Sequence, residues 1–331
     1  MFDIPTEEQW KNVFEFSKQI AERKPWKTYP EELLFVLHRE DNEEPLYASV
    51  HGYEEDVIGI SIHPNKIAAS KYLTILEKGD DADFQTIIAN QNSVSLQFAD
   101  QQFLSPGDIT AMQQAEYVPD GSANSCILFR KYAPGLAPWY ADSTDIDLLS
   151  EGLNLFLKAT ETEISPLPQG IGMIDCPVSG QAIAIEISDD FKETIPDIVK
   201  DDFYVARLKQ LKKTAKVIEI ESCYLPNPVA SQMGDIPLFP KFCVIADADG
   251  GFIADQCIFD ESTEEEEAFY LFVSNYFKKE GLPRKIRINK ENTGHLMRDL
   301  CKRLRIELDE RNNLPIIDDF MQMINGITPG E

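Results

Sequence analysis

Apolar positions follow two rhythms along this chain, one near 3.6 residues and one of two, and their alternation sets out an α+β protein. The helical rhythm comes first. Trp10, Val13, Phe14 and Ile20 share one face behind Thr6, and Gln9 stands three residues on, in capping-box spacing. That face needs a sheet. "LLFVLH" at 33–38, "PLYASVHG" and "DVIGISIHP" supply it, Ile58, Ile60 and Ile62 alternating with smaller or polar residues. Pro64 opens a helix over "NKIAASKYLTILEKGD" that Gly79 stops. "SVSLQFAD" and "SCILFRKYA" read as strands, and "TDIDLLSEGLNLFLKATE" as an Asp-capped amphipathic helix.

Two prolines and two glycines in "ETEISPLPQGIG" at 161–172 predict a linker, dividing the chain into an N-terminal α+β domain over 1–162 and a C-terminal domain over 163–331. The second domain opens with a strand "QAIAIEIS", a helix around "DDFYVARLKQLKK" and a strand "KVIEIESCYL". The last hundred residues are the most sharply punctuated. Strands 242–247 and 252–259 flank Asp249, Gly250 and Gly251, the composition of a tight hairpin. "ESTEEEEAFYLFVSNYFKKEGLP" then reads as a helix. Ser262 and Glu265 have capping-box spacing, Phe269, Phe272, Val273 and Tyr276 form a stripe, Lys278 and Lys279 sit at the negative end of the dipole, and Gly281 and Pro283 stop it. "RKIRIN", "TGHLMRDLCKRLR", "IEL" and "LPIIDDFMQMIN" continue as strand, helix, strand and helix.

Charge narrows the choice of partners. With 57 Asp plus Glu against 31 Lys plus Arg, the net charge is −26, which repels phosphate backbones and anionic membranes. A basic protein partner, or solubility alone, fits better than direct nucleic-acid binding. A decoy that mimics nucleic acid would carry the charge in a stripe. Cys126, Cys176, Cys223, Cys243, Cys257 and Cys301 form no CxxC pair and read as reduced core thiols of a cytoplasmic protein. Neither a basic leader nor an eighteen-residue apolar run suggests secretion or a membrane span. The four histidines show no i, i+4 pair. GxSxG, Walker and GxGxxG motifs are absent, so no cofactor is expected.

The order of elements from about 240 to 331 resembles the ribonuclease H and integrase fold, and "EGLPRKIRIN" is similar to its helix-to-strand passage. In that fold, carboxylates on the first strand, the fourth strand and the last helix converge on two metal ions. The resemblance puts Asp247 in the first place. The second falls on Asn289, which is neutral, so a metal-dependent nuclease or phosphoryl transferase would have to use Asp247, Glu291 and Asp319, with Asp318 as the other helix acid. Asp247 and Asp249 are equally the acids a hairpin turn wants. "APGLAPWYAD" offers Trp139 and Tyr140 as a binding lip in a proline-rich loop, or as aromatics packed on a domain seam.

Longer phrases, "EEPLYASVHGYEEDVIGISIHP" in the first half and "FYVARLKQLKKTAKVIEIESCYLPNPV", "FPKFCVIADADGGFI" and "NNLPIIDDF" in the second, resemble a two-domain family of uncharacterised bacterial proteins. Some members of that family carry a further domain related to plasmid or transposon passenger proteins. The resemblance implies an architecture and brings no active-site residues. The expected function is therefore a non-catalytic cytoplasmic binding or scaffolding protein, with the metal-dependent enzyme and the acidic decoy as alternatives.

Overall fold

Thr6 starts helix α1 (Glu7–Arg23) with both halves of a capping box: its hydroxyl accepts from the Gln9 N–H, and the Gln9 side chain accepts from the Thr6 N–H. The computed structural model describes residues 3–40, 43–52, 58–192, 196–230, 235–259 and 265–326. They fall into two units that divide between residues 193 and 194.

The N-terminal unit is built on a sheet of β1 (Leu33–Leu37), β2 (Leu46–His51), β3 (Ile58–His63), β4 (Ser93–Ala99), β5 (Cys126–Tyr132), β6 (Trp139–Tyr140), β7 (Gly172–Cys176) and β8 (Ile183–Ile185). Its spatial order is β6-β5-β4-β3-β2-β1-β7-β8, antiparallel except where β1 meets β7. Four further helices accompany it: α2 (Lys66–Lys78), α3 (Phe84–Asn90), α4 (Pro106–Gln114) and α5 (Ser143–Ala159). Asn65 and Asp142 cap α2 and α5, and Gly79 ends α2. On one face, α1, α4 and α5 bury Phe14, Met112 and Phe156 against Phe35, Leu96 and Phe129. On the other, Ala69 and Leu73 of α2 cover Leu34, Val36 and Tyr47.

The sequence places a domain boundary at 162/163, but β7, which follows it, is the parallel partner of β1. Leu33 pairs with Gly172 and Leu37 with Cys176. Residues 161–172 therefore connect α5 to β7 within one unit. The five residues of β7 gave no clear alternating signal beside the proline and glycine cluster, and pairing between residues so distant in sequence is not a local property of either strand.

The C-terminal unit runs α6 (Asp202–Lys209), β9 (Val217–Tyr224), β10 (Lys241–Asp247), β11 (Phe252–Ile258), α7 (Glu265–Glu280), β12 (Lys285–Asn289), α8 (Gly294–Leu304), β13 (Glu307–Arg311) and α9 (Pro315–Gly326). Its mixed sheet has the order β11-β10-β9-β12-β13, with β9, β12 and β13 parallel and β10 antiparallel to both its neighbours. The expected hairpin is present. Gly251 closes it at φ 69°, a left-handed conformation glycine adopts without strain, and its N–H bonds the Asp247 carbonyl. Between the Ile245–Asp255 and Ala246–Ile253 pairs, Ala254 is an extra residue, a bulge in the outer strand.

The stripe on α7 is wider than Phe269, Val273 and Tyr276: Tyr270 and Phe277 are buried too, and Phe272 only in part. Ser262, the expected cap of α7, lies outside the described residues. The sheet also corrects the expected core of 240–331. Its central strand is β9, so the strand carrying Asp247 is the second of the unit and not the first.

Candidate functional site

Along β9 the side chains alternate: Ile218 and Ile220 enter the core beneath α6, α7 and α8, while Cys223 joins the core beneath α9. Glu219 and Glu221 share the parity of Cys223. They are 1% and 6% exposed, and carboxylates are rarely so buried unless they are paired.

Each has partners. The Glu219 Oε2 accepts from the Ile316 N–H, 3.2 Å away in the first turn of α9, where the helix dipole favours an anion. Its Oε1 lies 3.5 Å from Nη1 of Arg287 on the neighbouring strand β12. Glu221 accepts from the Asn292 side-chain amide at 2.8 Å. Asn289 holds that turn, its Oδ1 taking the N–H groups of Glu291 and Asn292. Further along the same face, Asp309 of β13 receives Arg311 at 2.8 Å and Lys285 at 3.3 Å. The Arg311 and Lys285 hydrogen bonds hold the Asp309 carboxyl below its ordinary pKa. Carboxylates and cations thus alternate across β9, β12 and β13. Where a two-metal site would gather anionic oxygens alone, Arg287 stands between Glu219 and Asp309.

The acids singled out from the sequence do not meet. Asp247 pairs with Ile218 near the start of β9, whereas Ile288 pairs with Ile220, so Asn289 lies level with Glu221, two strands over. At roughly 3.3 Å per residue and 4.8 Å per strand, Asp247 and Asn289 are on the order of 14 Å apart. Glu291 is exposed beyond that strand end. Asp319 is exposed on α9, and its neighbour Asp318 turns back to accept from the Leu314 N–H at 2.8 Å. Burial raises the Asp318 pKa against that bond.

Asp247 and Asp249 are occupied in the hairpin. Asp247 Oδ1 accepts from the N–H groups of Asp249 and Gly250 at 3.1 and 2.8 Å, and Asp249 Oδ2 accepts from Val217 N–H at 3.3 Å. Asp247→Asn keeps the accepting oxygen. It is expected to lower stability by less than about 1.5 kcal/mol, because one carboxylate is exchanged for a neutral acceptor of the same shape. Urea denaturation checks this, and a loss of several kcal/mol would mean that the charge itself holds the turn.

Trp139 and Tyr140 lie in a two-residue edge strand rather than an open loop. Tyr140 pairs with Arg130, whose guanidinium sits 5.4 Å from the ring centre, and packs so closely on α4 that a Cβ on Gly107 would fall 2.8 Å from its ring. Arg130 makes a two-pronged ion pair with the buried Asp108, at 2.7 and 2.8 Å. Burial works against the Asp108 carboxylate, but hydrogen bonds from Arg130 and Ser105 outweigh it and hold the pKa below normal.

Two histidines that look scattered in the sequence share one network. His63 Nε2 lies 3.1 Å from Ser49 Oγ, which is 3.2 Å from His51 Nε2, and His51 reaches Ser61 at 2.9 Å. The signal lay in parity: Ser49 and His51 on β2, and Ser61 and His63 on β3, all stand on one sheet face. His63 Nδ1 faces the Asn92 carbonyl at 3.2 Å and so must donate, which leaves Nε2 as the acceptor for Ser49. Ser49 is fully buried, so this chain of hydroxyls and imidazoles is a satisfied interior network rather than an exposed nucleophile. Burial also pushes thiols up, Cys176, Cys223 and Cys301 each to about 12, which favours the neutral thiol over the thiolate.

Two family models match most of the sequence. A domain of unknown function (DUF7309) covers residues 10–165, and a second domain of unknown function (DUF6930) covers residues 204–325. The chain thus carries two successive domains of unknown function, an arrangement consistent with a two-domain uncharacterised family. The DUF7309 match ends before β7, although the sheet it belongs to continues through β8. The DUF6930 match spans the whole five-stranded sheet, from within α6 to the end of β13 and most of α9. No curated protein matches the chain. Among the described residues, no helix is long and apolar enough to cross a membrane.

Proposed function

We propose that the protein is a non-catalytic binding or scaffolding protein, and that its DUF6930 region is a ribonuclease H-like domain whose metal face has been closed by ion pairs. Three strands, a helix, a strand, a helix, a strand and a last helix, with the first strand central and the second antiparallel, support the fold reading. In that frame β9 supplies the first-strand acids, Glu219 and Glu221, and not Asp247. The fourth strand, β12, offers Arg287 and Asn289 where an acid would be needed.

The observation that carries the functional reading is the Arg287–Glu219 contact. A guanidinium that neutralises the central carboxylate removes the charge a divalent ion would need to offset its dehydration. A protein partner of basic character suits the net charge of −26. Calorimetry with manganese on the whole chain is expected to show no saturable site, and single- and double-stranded nucleic acids should stay uncut. Arg287→Ala leaves a carboxylate buried without its cation and is expected to cost about 3 kcal/mol of stability, a cost largely relieved in the Glu219→Gln, Arg287→Ala double variant. A stoichiometric manganese site in the natural chain that vanishes in Glu219→Gln would reinstate the enzyme.

A further inference from the structure

On the opposite side of the C-terminal sheet, α6 and α7 border a half-open cavity of about 650 Å³, within the usual range for small-molecule sites. Its walls are apolar. Leu208 and Leu211 come from the α6 end, Leu271 from α7, and the rings of Tyr204 and Tyr270 close one side. Both tyrosine hydroxyls are spent within the protein: Tyr204 donates to the Tyr270 carbonyl, and Tyr270 to the Leu296 carbonyl. Burial raises both phenol pKa values, Tyr204 to about 12, so the rings remain neutral. Leu271 is 60% exposed, an apolar side chain held out to solvent in a helix whose other face is core.

Three of the cavity's polar groups are cations, beside Asp201, Glu267, Gln210 and Ser274. Lys200, Arg207 and Lys278 line it, and none of them is bridged to a carboxylate among the described residues. Lys200 Nζ rests over the Tyr270 ring, 4.7 Å from its centre. Two acids also line the cavity. Asp201 caps α6 through the Tyr204 N–H and keeps its negative charge, and Glu267 is the second opposing carboxylate. In a chain of net charge −26, three cations against two carboxylates on one apolar hollow leave a local excess of one positive charge.

From this we infer that the α6/α7 cavity binds a small amphiphilic anion, with an aromatic or aliphatic body on Leu208, Leu211, Leu271 and the tyrosine rings and an acidic head held by Lys200, Arg207 and Lys278. The size of the hollow suits a small molecule and not a folded partner. The inference is independent of the closed acid face, which lies on the other side of the sheet, and neither test bears on the other.

The probe is 8-anilinonaphthalene-1-sulfonate, set against N-phenyl-1-naphthylamine, which has the same rings and no sulfonate. Fluorescence titration of the full chain should give one saturable site for the sulfonate, about tenfold tighter than for the neutral amine, since one charge-assisted contact is worth at least that factor. Arg207→Ala and Lys200→Ala should each weaken the sulfonate about tenfold and leave the amine unchanged, and decanoate should displace the sulfonate. Leu271→Glu, at an exposed position that folding does not depend on, should weaken both probes. Circular dichroism melts confirm that each variant is folded. Equal affinity for the two probes, an unsaturable signal, or sulfonate binding that is indifferent to all three substitutions would overturn the assignment.

Discussion

Expressed alone, residues 1–162 are expected to be insoluble or unfolded, whereas residues 1–193 should form a soluble unit with a cooperative melt. The shorter piece is the domain that the proline and glycine content of 161–172 suggests. It lacks β7, the parallel neighbour of β1. With residues 163–193 go Ile164, Met173, Ile174 and Phe191, all buried in the two cores of the N-terminal unit. At about 1.5–3 kcal/mol for each buried side chain, their loss removes about 6–12 kcal/mol. A whole domain is commonly stable by only about 5–15 kcal/mol. The deletion also bares β1, which is buried along its whole length, as a new apolar edge. Circular dichroism and size-exclusion chromatography of the two pieces decide it. A 1–162 fragment that melts cooperatively at the temperature of 1–193 would show that β7 is an accessory.

The second large effect is one of acidity. His63 is 2% exposed, and burial drives its pKa from 6.5 down to about 3, with the Asn92 carbonyl opposing the shift and His51 adding to it. The unfolded chain takes up a proton near pH 6.5, and the folded chain declines it until about pH 3. Above pH 6.5 both states hold the ring neutral, and the full stability is present. As the pH falls from 6.5 towards 3, stability drains at about 1.4 kcal/mol per pH unit. Between pH 6.5 and 5, before most carboxylates titrate, His63 alone should cost about 2 kcal/mol. His51, lowered by the same burial, adds to the loss. Urea denaturation of residues 1–193 at a series of pH values measures the slope. A His63→Asn variant should flatten it, and a natural chain equally stable at pH 5 and 7 would contradict the network as described.

Much of the fold was legible because its ends are written in short-range chemistry. Thr6 with Gln9, Gly79 and the Asp249-Gly250-Gly251 turn each act on backbone groups a few residues away, and each appears where its neighbours imply. Helices α3 and α4 were missed. They run to seven and nine residues, too short for an apolar period to repeat. The candidate site was missed for a different reason. "KVIEIESCYL" reads plainly as a strand, and its Glu219 and Glu221 were visible on one face of it. That β9 occupies the centre of the sheet, with Arg287 beside Glu219, depends on pairings between residues roughly seventy apart, and no local pattern encodes them. Asp247 stands out in the sequence because the hairpin is the most conspicuous local feature nearby.

The spare residue in β11 governs how molecules meet one another. An exposed outer strand invites a stranger's backbone to continue the ladder, and this one carries outward Phe252 and Ile258 that would reward the contact. Ala254 interrupts the row. A visiting segment finds the stretch 255–258 and then a misaligned pair at 252–253, too little to hold against the entropy of ordering a second chain. The kink therefore serves as a guard against molecules stitching themselves into continuous sheets when they are crowded, and the overall negative charge, which keeps them apart at longer range, completes the protection.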